Sequence, residues 1–244
     1  MRILVISDIH ANLAAFQAVL KASEGEWEQR WLLGDLVGYG PDPHTCGELL
    51  RSHNPVALTG NHDWAVLGKL SLNSFNFQAR QVIEWTQETL DEATRAYLAD
   101  QEPKQAQPPF LLAHASPRQP IWEYVLDNGT AAANLQLLAL ETPVCLVGHT
   151  HVPILFTELD AGEMMASRPV YGEPVTLEGS RYIANPGSVG QPRDGDPRAA
   201  YALLDTERMT WEHHRVAYPI SETQQRMRRQ GFPERLIARL EYGW

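Results

Sequence analysis

Short apolar runs of strand length recur along the chain, each bounded by Gly, Asp, Asn or His, and stretches with helical spacing separate them. That alternation predicts an α/β layout. Ile3 to Ile6 reads as a buried strand. The helix after it opens at Asn12, a good N-cap, with Leu13, Phe16, Val19 and Leu20 at helical intervals. Trp31 to Leu33, Val56 to Leu58, Phe110 to Leu112 and Val144 to Val147 repeat the strand-like run, and helices are predicted over Pro43 to His53 and Gly129 to Leu140. Beyond His151 the texture shifts to β-branched and aromatic segments broken by turns: Val152 to Thr157, Pro169 to Leu177, Arg181 to Ala184, Ala200 to Asp205 and Thr210 to Tyr218. These predict a meander of mostly antiparallel strands. Two polar helices, around Glu222 to Arg229 and Glu234 to Leu240, close the chain.

The segment from Trp64 to Pro109 is rich in Gln, Glu and Ala, with Asp91 a good cap for a second helix. It reads as helical packing on the sheet, the alternative being a helical cap over 64–109 that sets substrate access. Its last part, Glu102 to Pro109, is Pro-rich and reads as a loop. The 244 residues are 43% hydrophobic, enough to bury one sizeable core, so a single domain over 1–244 is expected.

Charge narrows the partners. Lys plus Arg number 20 against 30 for Asp plus Glu, and a net charge of -10 repels nucleic acid and anionic membrane alike. No apolar run approaches the ~18 residues needed to span a bilayer, and Met1-Arg2 runs into an apolar stretch that Asp8 and His10 cut too short for a signal peptide. Cys46 and Cys145 cannot make a disulfide framework and have no zinc-ribbon spacing; both read as core residues and suit a reducing compartment, so a cytoplasmic location is expected.

The chemistry gathers where the apolar runs end. Asp8-Ile9-His10 follows the first, Gly34-Asp35 the second, Gly60-Asn61-His62-Asp63 the third, Ala113-His114 the fourth and Gly148-His149-Thr150-His151 the fifth. Ligands of open α/β sheets bind where the carboxyl ends of strands converge. Imidazole nitrogen together with carboxylate oxygen suits Mn, Fe, Zn or Ni. Residues two apart in an extended segment face one side, so Asp8 with His10, and His149 with His151, are each expected to present two donors. The set exceeds what one ion needs, and two ions sharing a carboxylate is the economical reading.

The ordered blocks DIH, GD, GNHD, H and GHTH resemble the calcineurin-like metallophosphoesterase superfamily, over Asp8 to about Arg193. The phrases GDLVGYGPDP and NPGSVGQPRDGDPR look like its small prokaryotic phosphodiesterase branch, related to diadenosine tetraphosphatases. The resemblance implies a four-layer α/β/β/α sandwich of two packed mixed β-sheets flanked by helices. It also implies two divalent transition-metal ions, manganese favoured for activity. Asp8, His10, Asp35 and His151 would hold the first; Asn61, His114 and His149, with Asp35 bridging, the second. His62 would be the catalytic imidazole and Asp63 the carboxylate that orients it. A bridging hydroxide, made at neutral pH by ions ~3.5 to 4 Å apart, would attack phosphorus in line. The family often has glycine where this chain carries Ala11 and Ala115, which bears on loop conformation.

The implied function is hydrolysis of phosphoesters, phosphodiesters of nucleotide type foremost, on a small-molecule substrate. A phosphomonoesterase or protein phosphatase would use the same site, and a non-catalytic interaction scaffold is the alternative outside enzymes; a homo-oligomer is compatible with the sequence. Asn12, Asn185, Ser188 and Arg193 are candidate substrate contacts, the NPGS stretch reading equally as a structural turn. Gly187-Ser188-Val189-Gly190 is not a G-x-S-x-G elbow, and no G-x-x-x-x-G-K-[ST] loop occurs. His44, His53, His213 and His214 read as packed or surface residues, and Arg226, Arg228 and Arg229 as a solvated helix face.

Overall fold

A computed structural model describes residues 1–138 and 142–244. The first half of the chain runs β1 (Arg2–Ile6), α1 (Leu13–Ala22), β2 (Gln29–Leu32), α2 (Pro43–Arg51), β3 (Val56–Ala57), α3 (Asn61–Val66), α4 (Phe77–Thr89), α5 (Glu92–Ala99), β4 (Lys104–Gln107) and β5 (Phe110–Ala113). It continues with α6 (Asn128–Leu135), β6 (Val144–Val147), β7 (Ile154–Glu158), β8 (Met164–Ser167), β9 (Pro174–Thr176), β10 (Tyr182–Asn185), β11 (Ala199–Asp205), β12 (Thr210–Val216), α7 (Ile220–Arg229) and α8 (Glu234–Ala238), followed by a short 3₁₀ turn. The predicted end of the sixth helix, at Leu140, lies outside the described residues.

These strands form two six-stranded mixed sheets, in the orders β3-β2-β1-β11-β12-β9 and β4-β5-β6-β10-β7-β8. Alternate residues explain how the sheets stack. Ile3, Val5 and Trp31 from the first sheet meet Phe110, Leu112, Val144 and Leu146 from the second in one buried layer. The opposite face of β1, Leu4 and Ile6, packs with Phe16 and Val19 of α1. Cys145 and Val147 of β6 face Ala131 and Leu135 of α6 in the same way. Strands buried on both faces read as continuous apolar runs, and the result is the expected α/β/β/α order of layers. Asn12 and Asp91 cap their helices as predicted, accepting from the Ala15 and Thr94 backbone N–H groups. Both cysteines are buried and unpaired.

Two expectations need correction. The segments beyond His151 are not one meander: β7, β8 and β10 belong to the second sheet and β9, β11 and β12 to the first, and β10 runs parallel to β6. Alternation reports that a segment is a strand but not which edge receives it. Glu102 to Pro109 is not all loop, because Lys104–Gln107 forms the polar edge strand of a hairpin with β5. It has one neighbour and needs no apolar side chains; β8, paired only with β7, escaped notice for the same reason. The helices α3 to α5 pack on the first sheet as expected, and reach the closing helices as well. Ile83, Leu90 and Leu98 join the α1 layer, while Ala79 and Val82 pack with Met227, Phe232 and Leu236 of the closing helices.

Candidate metal centre

The parallel strands β1, β2, β3, β5 and β6 all end at one place, and β10, also parallel, brings a sixth loop there. Two buried groups of donors result: Asp8, His10 and His151, and Asp35, His114 and His149, the candidate ligand atoms within each lying within 4.8 Å of one another. Asn61 joins the second, its Oδ1 standing 3.2 Å from His114 Nε2. Asp35 connects the two. Its Oδ2 lies 3.6 Å from Nε2 of His10 and 3.6 Å from Nε2 of His114, while its Oδ1 accepts the His62 backbone N–H at 2.9 Å.

The convergence does not come from extended backbone. Asp8, His10, Asp35, His149 and His151 all have φ between 48 and 63°, in the left-handed region. Such residues carry of order 1–2 kcal/mol of strain each and cluster at functional sites. Asp8 and His10 serve the same group, whereas the second i, i+2 pair divides: His149 faces the second group and His151 the first. Ala11, at φ 50°, keeps the conformation that glycine adopts freely.

The proton inventory tests whether cations fit. His10, His114 and His151 donate Nδ1–H to the Val37, Leu33 and Gln191 carbonyls, at 3.1, 2.8 and 2.6 Å. Each Nε2 is therefore a bare lone pair. Those of His10 and His151 face each other 3.2 Å apart. Asp8 Oδ1, Asp35 Oδ2 and His149 Nε2 are buried with no hydrogen-bond partner. Opposed, unmatched acceptors are unfavourable by ~1–3 kcal/mol each until a positive charge sits among them. The donor set thus fits divalent ions of the kind that accept nitrogen and oxygen together.

Electrostatics agree. Burial, with Asp63 and Asp8 nearby, holds the Asp35 carboxyl well above its ordinary range. Burial raises Asp8 too, but His151, His114 and His10 outweigh it and leave that carboxyl ionised. Burial pushes His10, His62 and His149 well below the usual imidazole range and His151 down to about 4. His114, His213 and His214 are lowered as well. A histidine depressed on folding binds fewer protons folded than unfolded, so stability is lost as pH falls below the unfolded value near 6.5. The raised carboxyls Asp35, Asp42 and Asp63 and the raised His44 act in the opposite sense, but the seven depressed histidines outnumber them. The urea midpoint of metal-free protein is therefore expected to drop between pH 7 and pH 5; a midpoint that rises over that range contradicts this balance.

His62 stands in the wall of the cleft, 4% exposed, its ring centroid 4.3 Å from Tyr39, 4.9 Å from His10 and 5.2 Å from Phe75. Asp63 does not orient it. The Asp63 carboxylate accepts backbone N–H groups of Leu36, Val37 and Gly60, at 3.3, 3.1 and 2.9 Å, and His62 Nδ1 has no partner. As the third residue of α3, Asp63 caps the helix and ties it to the Asp35 loop.

Three of the candidate substrate contacts are likewise committed elsewhere. Asn12 donates to the Gly190 carbonyl and the Tyr218 hydroxyl and accepts from Ala15 N–H and Thr223 Oγ1. Asn185 donates to the Gly148 carbonyl and Thr150 Oγ1. Ser188 donates to the Asp8 carbonyl and accepts from Gln191 N–H. All three are fully buried and hold the loops that carry donors. Arg193 alone reaches the cleft, with its guanidinium 5.7 Å from the Tyr39 ring. The sequence does not single out the aromatic wall of Tyr39, Phe75, Trp122 and Tyr124; Tyr39 stands within GDLVGYGPDP, but the others carry no local signal.

Gly60 shows how tight the packing is. A Cβ there would lie 2.1 Å from Asp35 Oδ1 and 2.6 Å from His114 Cε1. Gly60→Ala is expected to displace Asp35 and destabilise the fold by roughly 1–3 kcal/mol; an unchanged melting temperature would show that the loop yields freely.

The other histidines and the basic cluster behave as their sequence setting implies. His213 is buried against the Asn185 carbonyl and His214 stacks on Tyr201. His44 pairs with Asp91, Arg226 with Asp42 and Arg228 with Glu234.

Two mixed sheets flanked by helices, with a buried carboxylate and imidazole donor set at their shared carboxyl end, define the metallophosphoesterase class. The profile of the calcineurin-like phosphoesterase superfamily domain matches residues 1–209. The chain is 35% identical over 247 residues to the uncharacterized protein MJ0912 of Methanocaldococcus jannaschii, covering 99% of this chain and 98% of that one. The crystal structure of a metallophosphoesterase from Sphaerobacter thermophilus superposes with a TM-score of 0.91 at 45% identity, covering 100% of this chain and 99% of the other. A hypothetical protein, PH1004 of Pyrococcus horikoshii OT3, shares the fold at a TM-score of 0.80 and 21% identity, over 100% and 98% of the two chains. This chain belongs to the calcineurin-like phosphoesterase superfamily. It is a phosphoesterase hydrolase, and the family implies divalent metal ions for the two donor groups. Among the described residues no helix is long and apolar enough to cross a membrane.

Proposed function

We propose that the chain, acting as a single domain, is a dinuclear phosphodiesterase for small nucleotide-type substrates. Asp8, His10 and His151 hold one ion, Asn61, His114 and His149 the other, and Asp35 belongs to both. The observation that carries this reading is Asp35 Oδ2, buried, without a partner and equidistant from the imidazoles of the two groups. When bound, divalent ions supply Lewis-acid polarisation of the phosphoryl group and a lowered water pKa. The family's preference for manganese is part of the proposal.

The chain's own groups complete the site. Arg193 offers the cleft a cation that can take up charge on non-bridging phosphate oxygens. The ring of His62, held neutral by burial and by Arg193, donates a hydrogen bond toward the departing oxygen. The negative charge a substrate brings raises that imidazole's basicity, which suits it to protonate the leaving group. Tyr39, Phe75 and Trp122 exclude water from the same wall.

Diester over monoester is favoured because the metal cleft opens, past Tyr39 and Tyr124, into a larger cavity of about 570 Å³ with room for a second ester group. With manganese, bis-p-nitrophenyl phosphate is expected to turn over faster than p-nitrophenyl phosphate. A tenfold advantage for the monoester would reverse the assignment in favour of a phosphomonoesterase or protein phosphatase.

A further inference from the structure

The larger cavity carries charge that the metal chemistry does not need. Arg193, Arg235 and Arg239 converge on it, with no Asp or Glu among its lining residues. Among the described residues none of the three arginines has a side-chain carboxylate partner, although acidic residues outnumber basic ones by 30 to 20. Arg193 Nε is buried without a hydrogen-bond partner, and Arg193 Nη2 reaches only the Gln191 amide oxygen. Burial lowers Arg239 to about 10, and repulsion from Arg193 and Arg235 adds to the shift, so the three cations sense one another. Clustered guanidinium groups without side-chain carboxylates beside them attract anions, and an anion with several oxygens is the ligand that guanidinium geometry fits best.

The same cavity is rimmed by exposed aromatic rings. Tyr242 and Trp244 stack on each other, centroids 4.7 Å apart and 22° between planes, though 50% and 64% exposed. Arg239 Nε donates to the Trp244 main-chain oxygen and so ties that ring to the cavity wall. Tyr124, 47% exposed, lies across the mouth with its ring 4.3 Å from His149, a member of the second donor group. Exposed aromatic faces beside arginines form a platform for a planar, electron-rich ring such as a nucleobase. A volume of about 570 Å³ falls within the ~300–1,000 Å³ of small-ligand sites.

We propose that this cavity is a second substrate subsite, in which Arg235 and Arg239 take a phosphate beyond the one held at the metal centre while an outer face of the Tyr242–Trp244 stack takes a nucleobase. Arg193, which lines both the cleft and the cavity, spans the two phosphates. The inference rests on the phosphoesterase reading and deepens it: the substrate class is a nucleotide with at least two linked phosphates.

Titration calorimetry of the manganese-loaded protein with α,β-methylene-ADP, whose P–C–P link resists hydrolysis, tests this without turnover. Arg235→Ala is expected to weaken binding by about tenfold, as loss of a charge-assisted contact does, and Arg239→Lys by at least about fivefold because the planar fork is lost. Trp244→Ala is expected to weaken α,β-methylene-ADP by at least about fivefold and leave methylenediphosphonate unaffected. Arg235 is exposed and forms no ion pair among the described residues, so its variant keeps the folded structure. Equal affinity of wild type and both arginine variants overturns the subsite, as does an affinity for methylenediphosphonate as high as that for the nucleotide analogue. Failure to hydrolyse bis-p-nitrophenyl phosphate, measured separately on the same preparation, would instead contradict the phosphoesterase reading.

Discussion

Replacing His62 with alanine is expected to lower turnover of bis-p-nitrophenyl phosphate by about 10²- to 10⁴-fold, the range for removal of a general acid, while bound metal stays at the wild-type level. The His62 ring touches the His10 ring edge-on but is outside both donor groups. Its link to the metal centre is through the backbone, where its N–H donates to Asp35 Oδ1. A side-chain deletion leaves that hydrogen bond in place. Turnover is therefore lost without metal. A variant that loses both would place His62 among the structural supports of the centre, and one that loses neither would remove it from the reaction.

Asp35→Asn is expected to have the larger effect on metal. Its unpartnered Oδ2 lies 3.6 Å from an imidazole nitrogen of each group. The amide keeps the volume and one oxygen, so the fold survives, but the negative charge that two cations would share is gone. Loss of at least one of two bound ions and a fall of three or more orders of magnitude in turnover are expected, on the order of what removal of a principal electrostatic group costs. Elemental analysis after gel filtration, paired with initial rates, reads both. Metal retained in full by Asp35→Asn would show that the two groups bind independently.

The metal centre was legible because each donor block follows an apolar run, and a run that stops at Asp, Asn or His announces a strand whose carboxyl end carries chemistry. The loops after β1, β2, β3, β5 and β6 all obey this pattern. Four things stayed hidden. Edge strands such as Lys104–Gln107 bury too little to show an apolar pattern, so a polar segment between prolines reads as a loop. The left-handed φ of Asp8, His10, His149 and His151 is hardly written in their residue types, since Asp and His favour that region over other side chains but far less strongly than glycine does. Residue type also hides which group a side chain serves: Asp63 looked like the partner of its neighbour His62 and instead caps α3, while Asn12, Asn185 and Ser188 looked like substrate contacts and instead bind the loops together. The arginine and aromatic cavity depends on α8 and the following turn folding back beside Tyr39 and Tyr124, a long-range event with no short motif.

The central claim is that two cations share Asp35. Anomalous diffraction from crystals soaked in manganese measures it directly. The account predicts two peaks ~3.5 to 4 Å apart, one beside Asp8, His10 and His151, the other beside Asn61, His114 and His149, with an oxygen of Asp35 between them. A single peak, or two peaks without Asp35 between them, would contradict it.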